Sequence, residues 1–591
     1  MNADEIADVL ESIAQLLELQ GENPFKIRAY TNAARALPGA ALSADELKDP
    51  ERLEEIDGIG KAIAEKISTL AATGTLPFYE NLKESFPPEI FQLFDLQGLG
   101  AKKIKALYEK LNIRSLTSLE RACNDGSVAG LAGFGPKTAQ NLLRAIEDHR
   151  RHAGSFSIAT ASEVAESILE RLRSHPDVGQ VEVAGSYRRR KETVRDLDFL
   201  ASSSAPQGII ELFLDHPDAE TILARGPTKA SMLLRSGLQC DLRVVSRLEF
   251  PFALNYFTGS KEHNVAMRNR ALSRGWSLNE YRFSIAEGKK GTPAPLPEVD
   301  DEAGIYQALG LDFIPPELRE DRGEFTAAEN HELPDLIRIE NLRGTFHCHT
   351  TESDGRNTLE EMSLAAQELG LQYLGISDHS KSSFQANGLD EKRLAAQGEK
   401  IASLNRALEG FRIFHGVECD ILKDGTLDYS DDGLASLDFV IASVHNSLTQ
   451  SESEMTDRIV RAMSNPYVTM LGHVTGRLLL TREPYKVHIP TIIDAAAATG
   501  TIIELNANPR RLELDWRWWP LAVEKGVKCS INPDAHSVAG LQHLHFGIGA
   551  ARKGWLTKKD VVNCLPLGKI EGVLQAKRVA QRRNGAADTF S

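Results

Sequence analysis

Hydrophobic spacing changes character twice along this chain of 591 residues. Over residues 1–20, Asp4, Glu5, Asp8 and Glu11 interleave with apolar residues at helical spacing, which predicts an amphipathic helix. A secretory leader would open basic and continue apolar, so none is expected. Short helical stretches broken by glycine pairs continue to about residue 150. From about 155 to 320 the pattern is mixed, with β-rich runs at 181–184 and 240–245. A stretch rich in proline and acids, from Pro293 to about Glu340, predicts a domain end followed by a linker. Beyond Arg343, strand-like and helix-like segments alternate. Apolar runs begin near Thr345, Tyr373, Arg412, Asp438, Val468, Thr501 and Val527, with helical patterns at 359–369 and 454–463 between them. That alternation predicts a parallel sheet or a β/α barrel, in which strand C-termini carry the chemistry.

Length and composition narrow the picture. A chain this long exceeds one hydrophobic core and suggests roughly three to five domains. No apolar run reaches the ~18 residues of a membrane span, so no membrane partner is expected. The six cysteines are scattered with no CxxC pair, which predicts reduced thiols in a cytoplasmic protein. A formal net charge of −15 is unlike the basic footprint of most DNA binders. Binding depends on local patches, however, and three are present: Lys102, Lys103 and Lys105; Arg188, Arg189, Arg190 and Lys191; Arg268, Arg270 and Arg274.

Three segments repeat one design: Ile56-Asp-Gly58-Ile-Gly60, Leu96-Gln-Gly98-Leu-Gly100 and Leu131-Ala-Gly133-Phe-Gly135. Each is a hydrophobic residue, a turn with two glycines around an apolar residue, then a helix. Glycine permits positive φ and close backbone approach. The helix start that follows presents free N–H groups that favour a phosphate. These segments resemble helix-hairpin-helix motifs, which hold a DNA backbone without reading its sequence.

Between them and the alternating region lies Gly185-Ser186-Tyr-Arg-Arg189, followed by Asp196-Leu-Asp198. Asp-x-Asp on a strand puts both carboxylates on one face. Asp241, alone in an apolar strand, completes a set of hard oxygen ligands suited to two Mg²⁺ ions. Gly185 and Ser186 before a helix would cradle a triphosphate, with Arg189 adding charge. The combination resembles the nucleotidyltransferase superfamily, and Tyr256-Phe257-Thr-Gly259-Ser, Asn264 and Arg268 are similar to the nucleotide-binding region of the DNA polymerase beta family. The resemblance implies that Tyr256 and Phe257 lie against the sugar of an incoming nucleotide, Asn264 at the base edge and Arg268 at the templating strand. It also implies a 5′-phosphate pocket of Lys26, Tyr30 and Lys66, with Lys66 as a Schiff-base lysine for deoxyribose-phosphate removal. The chain departs from the family pattern at Arg195 (for glycine), Gln239 (for arginine), Lys261 (for an acid) and Ala62 (for a basic residue). None of these removes a metal ligand.

The alternating region carries histidines and carboxylates at nearly every strand end: His347-Cys-His349, Asp354, Asp378-His379, Glu418, His445, His473 and Asp534-Ala-His536. Mixed imidazole and carboxylate donors suit Mn²⁺, Zn²⁺ or Fe²⁺. The series resembles the polymerase and histidinol phosphatase (PHP) family, with all nine of its ligand positions filled: His347, His349, Asp354, His379, Glu418, His445, His473, Asp534 and His536. The resemblance implies up to three ions, Mn²⁺ or Zn²⁺, and 3′–5′ exonuclease, 3′-end processing and abasic-site cleavage.

The chain is therefore read as a multidomain protein. Helical N-terminal domains with helix-hairpin-helix motifs, an α+β nucleotidyltransferase palm and a distorted (β/α)7 PHP barrel are expected. The boundaries expected are 1–85 (5′-phosphate or lyase-like), 86–152 (helix-hairpin-helix), 153–250 (palm), 251–318 (nucleotide binding), 319–341 (linker) and 342–580 (PHP). The expected function is gap-filling DNA synthesis in base excision repair by a nucleoid-associated monomer that binds gapped, nicked or damaged duplex and dNTPs. Rival readings are a phosphoesterase-led repair nuclease, a non-catalytic DNA-end adaptor and a small-molecule phosphatase.

Overall fold

The apolar spacing of the first 20 residues does form a helix, Ala3–Gln20, which buries Ile6, Leu10, Ile13 and Leu17. The computed structural model describes residues 1–588 apart from 2, 38–41, 44, 57, 95, 97, 153 and 287–294. The chain divides into two units, Met1–Ala153 and Gly154–Ser591. The first is helical and holds two apolar cores. One gathers Ile6, Leu10, Tyr30, Leu53 and Ile67; the other gathers Ile90, Leu99, Ile104, Leu119 and Ile146. Helix starts are locally encoded: Asn23 caps Pro24–Ala36 with proline at the first position, and Ser115 and Ser118 form a capping box on Leu116–Asn124.

The second unit begins with an α+β layer. Its strands are β1 (Gln180–Val183), β2 (Asp196–Ser202), β3 (Ala219–Arg225), β4 (Lys229–Leu234) and β5 (Gln239–Val245), in spatial order β1-β2-β5-β4-β3. Only the β2–β5 pair is parallel. Helix Ile158–Arg173 and helix Pro206–Leu214 supply Ile168, Leu172, Ile209 and Phe213 to the core beneath the sheet. A smaller core around Met267, Trp276, Phe283, Tyr306 and Leu311 follows.

The segment 319–341, expected to be a linker, is anchored at buried points although much of it is exposed. Arg319 is fully buried, its guanidinium 2.5 Å from Glu302, and Glu324 is fully buried against His263 at 2.9 Å. Glu317 accepts from Arg552 at 2.7 Å and Glu320 from Lys553 at 2.6 Å. Glu317 and Glu320, acids of the wider stretch that read as a linker, are thus partners of cations distant in sequence. Pro293, where the expected linker began, lies outside the described residues.

Seven parallel strands follow in sequence order, each neighbouring the next: β6 (Gly344–Cys348), β7 (Tyr373–Ile376), β8 (Arg412–Asp420), β9 (Phe439–Ser443), β10 (Met470–Leu471), β11 (Ile502–Asn506) and β12 (Cys529–Asn532). The two edges approach, with His349 N–H donating to Ala535 and Ala535 N–H to His347, so the sheet is a nearly closed barrel. Asn563 spans the seam below: its amide donates to Gly344 and Ile531 carbonyls and accepts the Ile531 N–H at 2.7 Å. Ile570 and Leu574 of helix Leu567–Asp588 plug that end against Phe346, Tyr373, Phe414 and Phe439. Gly416 lacks a side chain because a Cβ there would stand 2.4 Å from the Phe439 ring. With the N-terminal end filled by aromatics, polar chemistry is confined to the strand C-termini.

Candidate active sites

In the α+β layer, β2 and β5 run in register with Asp198 opposite Asp241 and Asp196 opposite Gln239. Residues two apart on a strand share a face, so the three carboxylates form one patch. The Ser231 hydroxyl and the Gln239 amide, the latter at 2.9 Å, hold Asp241. Gln239, a departure from the family pattern, thus orients a carboxylate. Burial, then the charges of Asp196 and Asp241, push the Asp198 carboxyl up to about 7. Burial and Asp241 also raise Asp196, while exposed Arg195 pulls it down. Such mutual repulsion is what a divalent cation relieves, and carboxylate oxygens suit Mg²⁺.

The turn over this patch needs glycine. Gly185 has φ +64°, and a Cβ there would stand 2.6 Å from Asp198 Oδ2. Ser186 follows, half-buried on the short helix Gly185–Arg188. Arg189, expected at the triphosphate, is engaged within the protein: it donates to the Thr258 carbonyl at 2.5 Å and pairs with Glu320 at 3.1 Å. Glu320 also holds Lys191 and the barrel's Lys553. Tyr256 and Phe257, on helix Phe250–Thr258, pack edge to face with centroids 5.2 Å apart, and Arg243 lies over the Phe257 ring. Asn264 donates its amide to the Tyr256 carbonyl at 2.7 Å, and Gly259 (φ +69°) ends that helix beside Arg189. Arg268 and Lys261 are exposed on helix Lys261–Ser273.

In the N-terminal unit the three glycine turns share one hydrogen bond. The N–H between the glycines (Ile59, Leu99, Phe134) donates to the carbonyl three residues back (Ile56, Leu96, Leu131) at 2.9–3.1 Å. Gly58, Gly98 and Gly133 have φ of +91°, +81° and +85°. Gly60, Gly100 and Gly135 precede helices Lys61–Thr73, Ala101–Leu111 and Pro136–His152, and a Cβ at any of the three would meet open space. Asp57 and Gln97 of these turns lie outside the described residues. Lys26, Tyr30 and Lys66 converge on Phe78: the Tyr30 ring stacks on it at 6.2 Å, and the two ammonium groups lie 5.7 and 5.6 Å from its centroid. Lys66 also donates to the Ala62 carbonyl.

At the barrel's C-terminal end the nine residues converge, five histidines directly on Glu418. Its carboxylate lies 3.3 Å from His347 Nε2, 3.6 Å from His349 Nε2, 3.0 Å from His379 Nδ1, 3.1 Å from His445 Nε2 and 2.8 Å from His473 Nε2. Asp534 approaches His347 and His349 at 3.5 Å, and Asp354 approaches His536 at 3.4 Å and His379 at 3.6 Å. The His349 ring stacks against both His379 and His536. His347 and Asp534 both take left-handed backbone, φ +58° and +50°, which non-glycine residues adopt at a cost usually met at functional sites.

The donors fall into three overlapping groups: His349, Asp354, His379 and His536; His347, His349 and Asp534; His379, Glu418 and His445. Buried ring nitrogens of His347, His349, His379 and His473 have no hydrogen-bond partner. The imidazoles of His347, His349 and His379 face carboxylates without a hydrogen bond between them, which is what intervening cations satisfy, so the donor set fits metal. Burial would raise Glu418, but His347, His445 and His379 outweigh it and hold its carboxyl well below the usual range. Burial pushes His379 down to about 3.

Four neighbours escaped the sequence reading. Glu504 is fully buried and accepts from His347 Nδ1 at 2.5 Å. Asp420 holds His445 Nδ1 at 2.5 Å. Arg511 pairs with Asp534 at 3.2 Å and lines the cavity over the cluster. Phe78 is the fourth. An acid inside an apolar strand was the signal used for Asp241, and it applies equally to Glu504. Asp420 lies two residues from Glu418, on the same strand face. For Arg511 and Phe78 nothing local distinguishes them.

A carboxylate triad on an α+β sheet and a metal-ligand barrel define a nucleotidyltransferase joined to a metallophosphoesterase. The comparisons support that class. Residues 1–76 match the helix-hairpin-helix domain family, 91–148 the SAM-like helix-hairpin-helix tandem, 253–320 the DNA polymerase beta thumb and 345–508 the PHP domain. The chain is 39% identical over 578 residues to the DNA polymerase/3′–5′ exonuclease PolX of Bacillus subtilis (strain 168), covering 97% of this chain and 100% of that one. It is 26% identical over 343 residues to DNA polymerase lambda of Rattus norvegicus, 53% of this chain and 56% of that one. A probable phosphatase of Thermoanaerobacter sp. (strain X514) is 29% identical over 244 residues, 39% of this chain and 94% of that one. The chain belongs to the PolX family of DNA polymerase/3′–5′ exonucleases, family X polymerases that carry a PHP domain.

Proposed function

We propose that this polymerase fills short gaps in damaged duplex during base excision repair and that its barrel trims 3′ ends and cleaves at abasic sites. Residues 153–250 act as the palm, 251–318 bind the incoming dNTP, 342–580 are the phosphoesterase, and 1–85 and 86–152 grip DNA, the first at a 5′-phosphate. The observation that carries this reading is that one unit holds both the patch of Asp196, Asp198 and Asp241 and the nine-residue cluster around Glu418.

Asp196, Asp198 and Asp241 would hold two Mg²⁺, and the nine barrel residues up to three ions, Mn²⁺ or Zn²⁺. Bound divalent cations neutralise phosphate charge and lower the pKa of the attacking oxygen. The protein's own residues do the positioning. Gly185 lets the backbone close on the triphosphate, with Ser186 at the same turn. Tyr256 and Phe257 form a wall against the sugar, and Asn264 is fixed by the Tyr256 carbonyl beside it. Arg268 reaches the templating strand. In the barrel, Glu504 and Asp420 set which ring nitrogen of His347 and His445 carries the proton, leaving Nε2 of each free to face the cluster. Lys66 would form the Schiff base of deoxyribose-phosphate removal, with Lys26 and Tyr30 around Phe78 binding the 5′-phosphate. The backbone N–H groups at the three glycine turns would hold phosphates on either side of the gap.

The test is primer extension on a gapped duplex with Mg²⁺, run beside degradation of a labelled 3′ end. Asp198→Ala should abolish extension and leave degradation; His347→Ala should do the reverse. Extension surviving in Asp198→Ala would remove the palm assignment.

A further inference from the structure

The cluster lies beneath a cavity of about 560 Å³ whose wall includes Ser382, Ser383, Phe384, Gln385 and Ala386. We propose that Phe384 is the platform on which the terminal nucleobase stacks when a 3′ end enters the barrel. This rests on the phosphoesterase reading above and names how that site recognises its substrate.

Phe384 is 87% exposed, the highest value among the large apolar side chains of the described residues. Its 3-10 turn, Phe384–Ala386, is nevertheless tied at both ends. On one side Ser382 N–H donates to Asp428 at 2.7 Å, and the Ser382 and Ser383 hydroxyls donate to Asp420 at 2.6 and 3.1 Å. On the other, Asn387 takes left-handed backbone (φ +52°), its amide donates to the Glu352 carbonyl at 3.2 Å, and Arg393 holds its carbonyl at 3.0 Å. Gly388 then passes so close to Ser380 that a Cβ would stand 1.9 Å from its carbonyl oxygen. An aromatic ring is thus held out in water by a fixed turn.

Its neighbours decide what it fits. Ser382, Ser383, Gln385 and Asn387 are polar, so the ring stands alone, whereas a protein-docking surface needs a contiguous apolar patch of several hundred Å². A single exposed aromatic beside a phosphoester-cleaving site matches an unpaired base, because every base has a π-face and stacking is indifferent to sequence. The turn's anchor, Asp420, also holds His445 Nδ1, so the platform and the cluster are registered through one carboxylate.

Stacking one base on an aromatic ring corresponds to about five- to a hundredfold in affinity. The full chain is assayed on two single-stranded oligonucleotides, one ending in an ordinary 3′ nucleotide and one in a reduced abasic residue. Phe384→Ala should raise KM for the base-bearing end at least fivefold with kcat within threefold, and leave the abasic end unchanged. Phe384→Tyr should restore the wild-type KM, and gap filling should be the same in all three proteins. An unchanged KM in Phe384→Ala, or an equal loss on both ends, overturns the proposal. A wild-type protein that degrades neither end overturns the phosphoesterase reading instead.

Discussion

Replacing Glu504 by glutamine changes one buried atom and tests how the barrel prepares its ligands. The Glu504 carboxylate accepts four hydrogen bonds: from His347 Nδ1 at 2.5 Å, the His473 N–H at 3.0 Å, and the Asn506 and Asn532 amides at 2.9 Å each. Two ionised oxygens offer about four lone-pair sites, so all are used. Glutamine offers one acceptor oxygen with two lone-pair sites and an NH₂, so two of the four donors lose their acceptor and meet an N–H instead. Where His347 is one of them, the proton moves from Nδ1 to Nε2, the nitrogen that faces Glu418 at 3.3 Å and Asp534 at 3.5 Å. Losing such an outer contact costs about 10–100-fold in metal affinity or activity, or ~1.4–2.8 kcal/mol. The assay is 3′-end degradation titrated with Mn²⁺ and, separately, Zn²⁺, with gap filling by the same preparation as the control for folding. Half-saturating metal should rise 10–100-fold while gap filling stays within twofold. A folded Glu504→Gln protein whose half-saturation lies within twofold of wild type refutes the reasoning.

Gly185→Ala should cost gap filling at least 100-fold and leave 3′-end degradation intact, because the added Cβ meets Asp198 Oδ2 at 2.6 Å in a left-handed turn; single-turnover extension checks it, and a loss under tenfold contradicts it. Lys577 is 8% exposed and donates to the carbonyls of Met463 and Val468 and to the Thr501 hydroxyl, with no carboxylate paired to it among the described residues. Burial pushes it from 10.5 down to about 7. Its folded pKa lies below its unfolded one, so the unfolded chain binds the extra proton between about pH 7 and 10.5, and stability rises with pH across that window. The gap corresponds to on the order of 5 kcal/mol, fully felt below pH 7. The melting temperature of Lys577→Met relative to wild type should therefore be most favourable near pH 7 and decline towards pH 10; a difference independent of pH excludes this account.

The parts of this protein that could be read in advance are those whose physics is local. Parallel strands buried on both faces must be near-continuous apolar runs, so all seven barrel strands announced themselves, and a histidine or acid at the end of such a run marked the site. The palm triad was legible for the same reason: Asp241 interrupts an apolar strand, and Asp-x-Asp must share a face. The glycine turns repeat one backbone requirement three times. What composition could not reveal was whether a charged side chain meets an opposite charge far along the chain. Composition made 319–341 look like a solvated linker because an acid's neighbours in sequence do not reveal whether a cation awaits it in space. Glu320 meets Lys553 across 233 residues, and Arg319 is buried because Glu302 is already there. Nor could composition reveal that Arg189, expected at a triphosphate, is also engaged by Glu320 and the Thr258 carbonyl. These paired charges form one junction between palm and barrel: Glu320 joins Arg189 and Lys191 on one side to Lys553 on the other, while Glu317 takes Arg552. Buried ions stay charged only while their partners remain. A barrel that swung away would strand Glu320 and Lys553 together, so the polymerase half and the hydrolytic half of this unit hold a fixed mutual orientation.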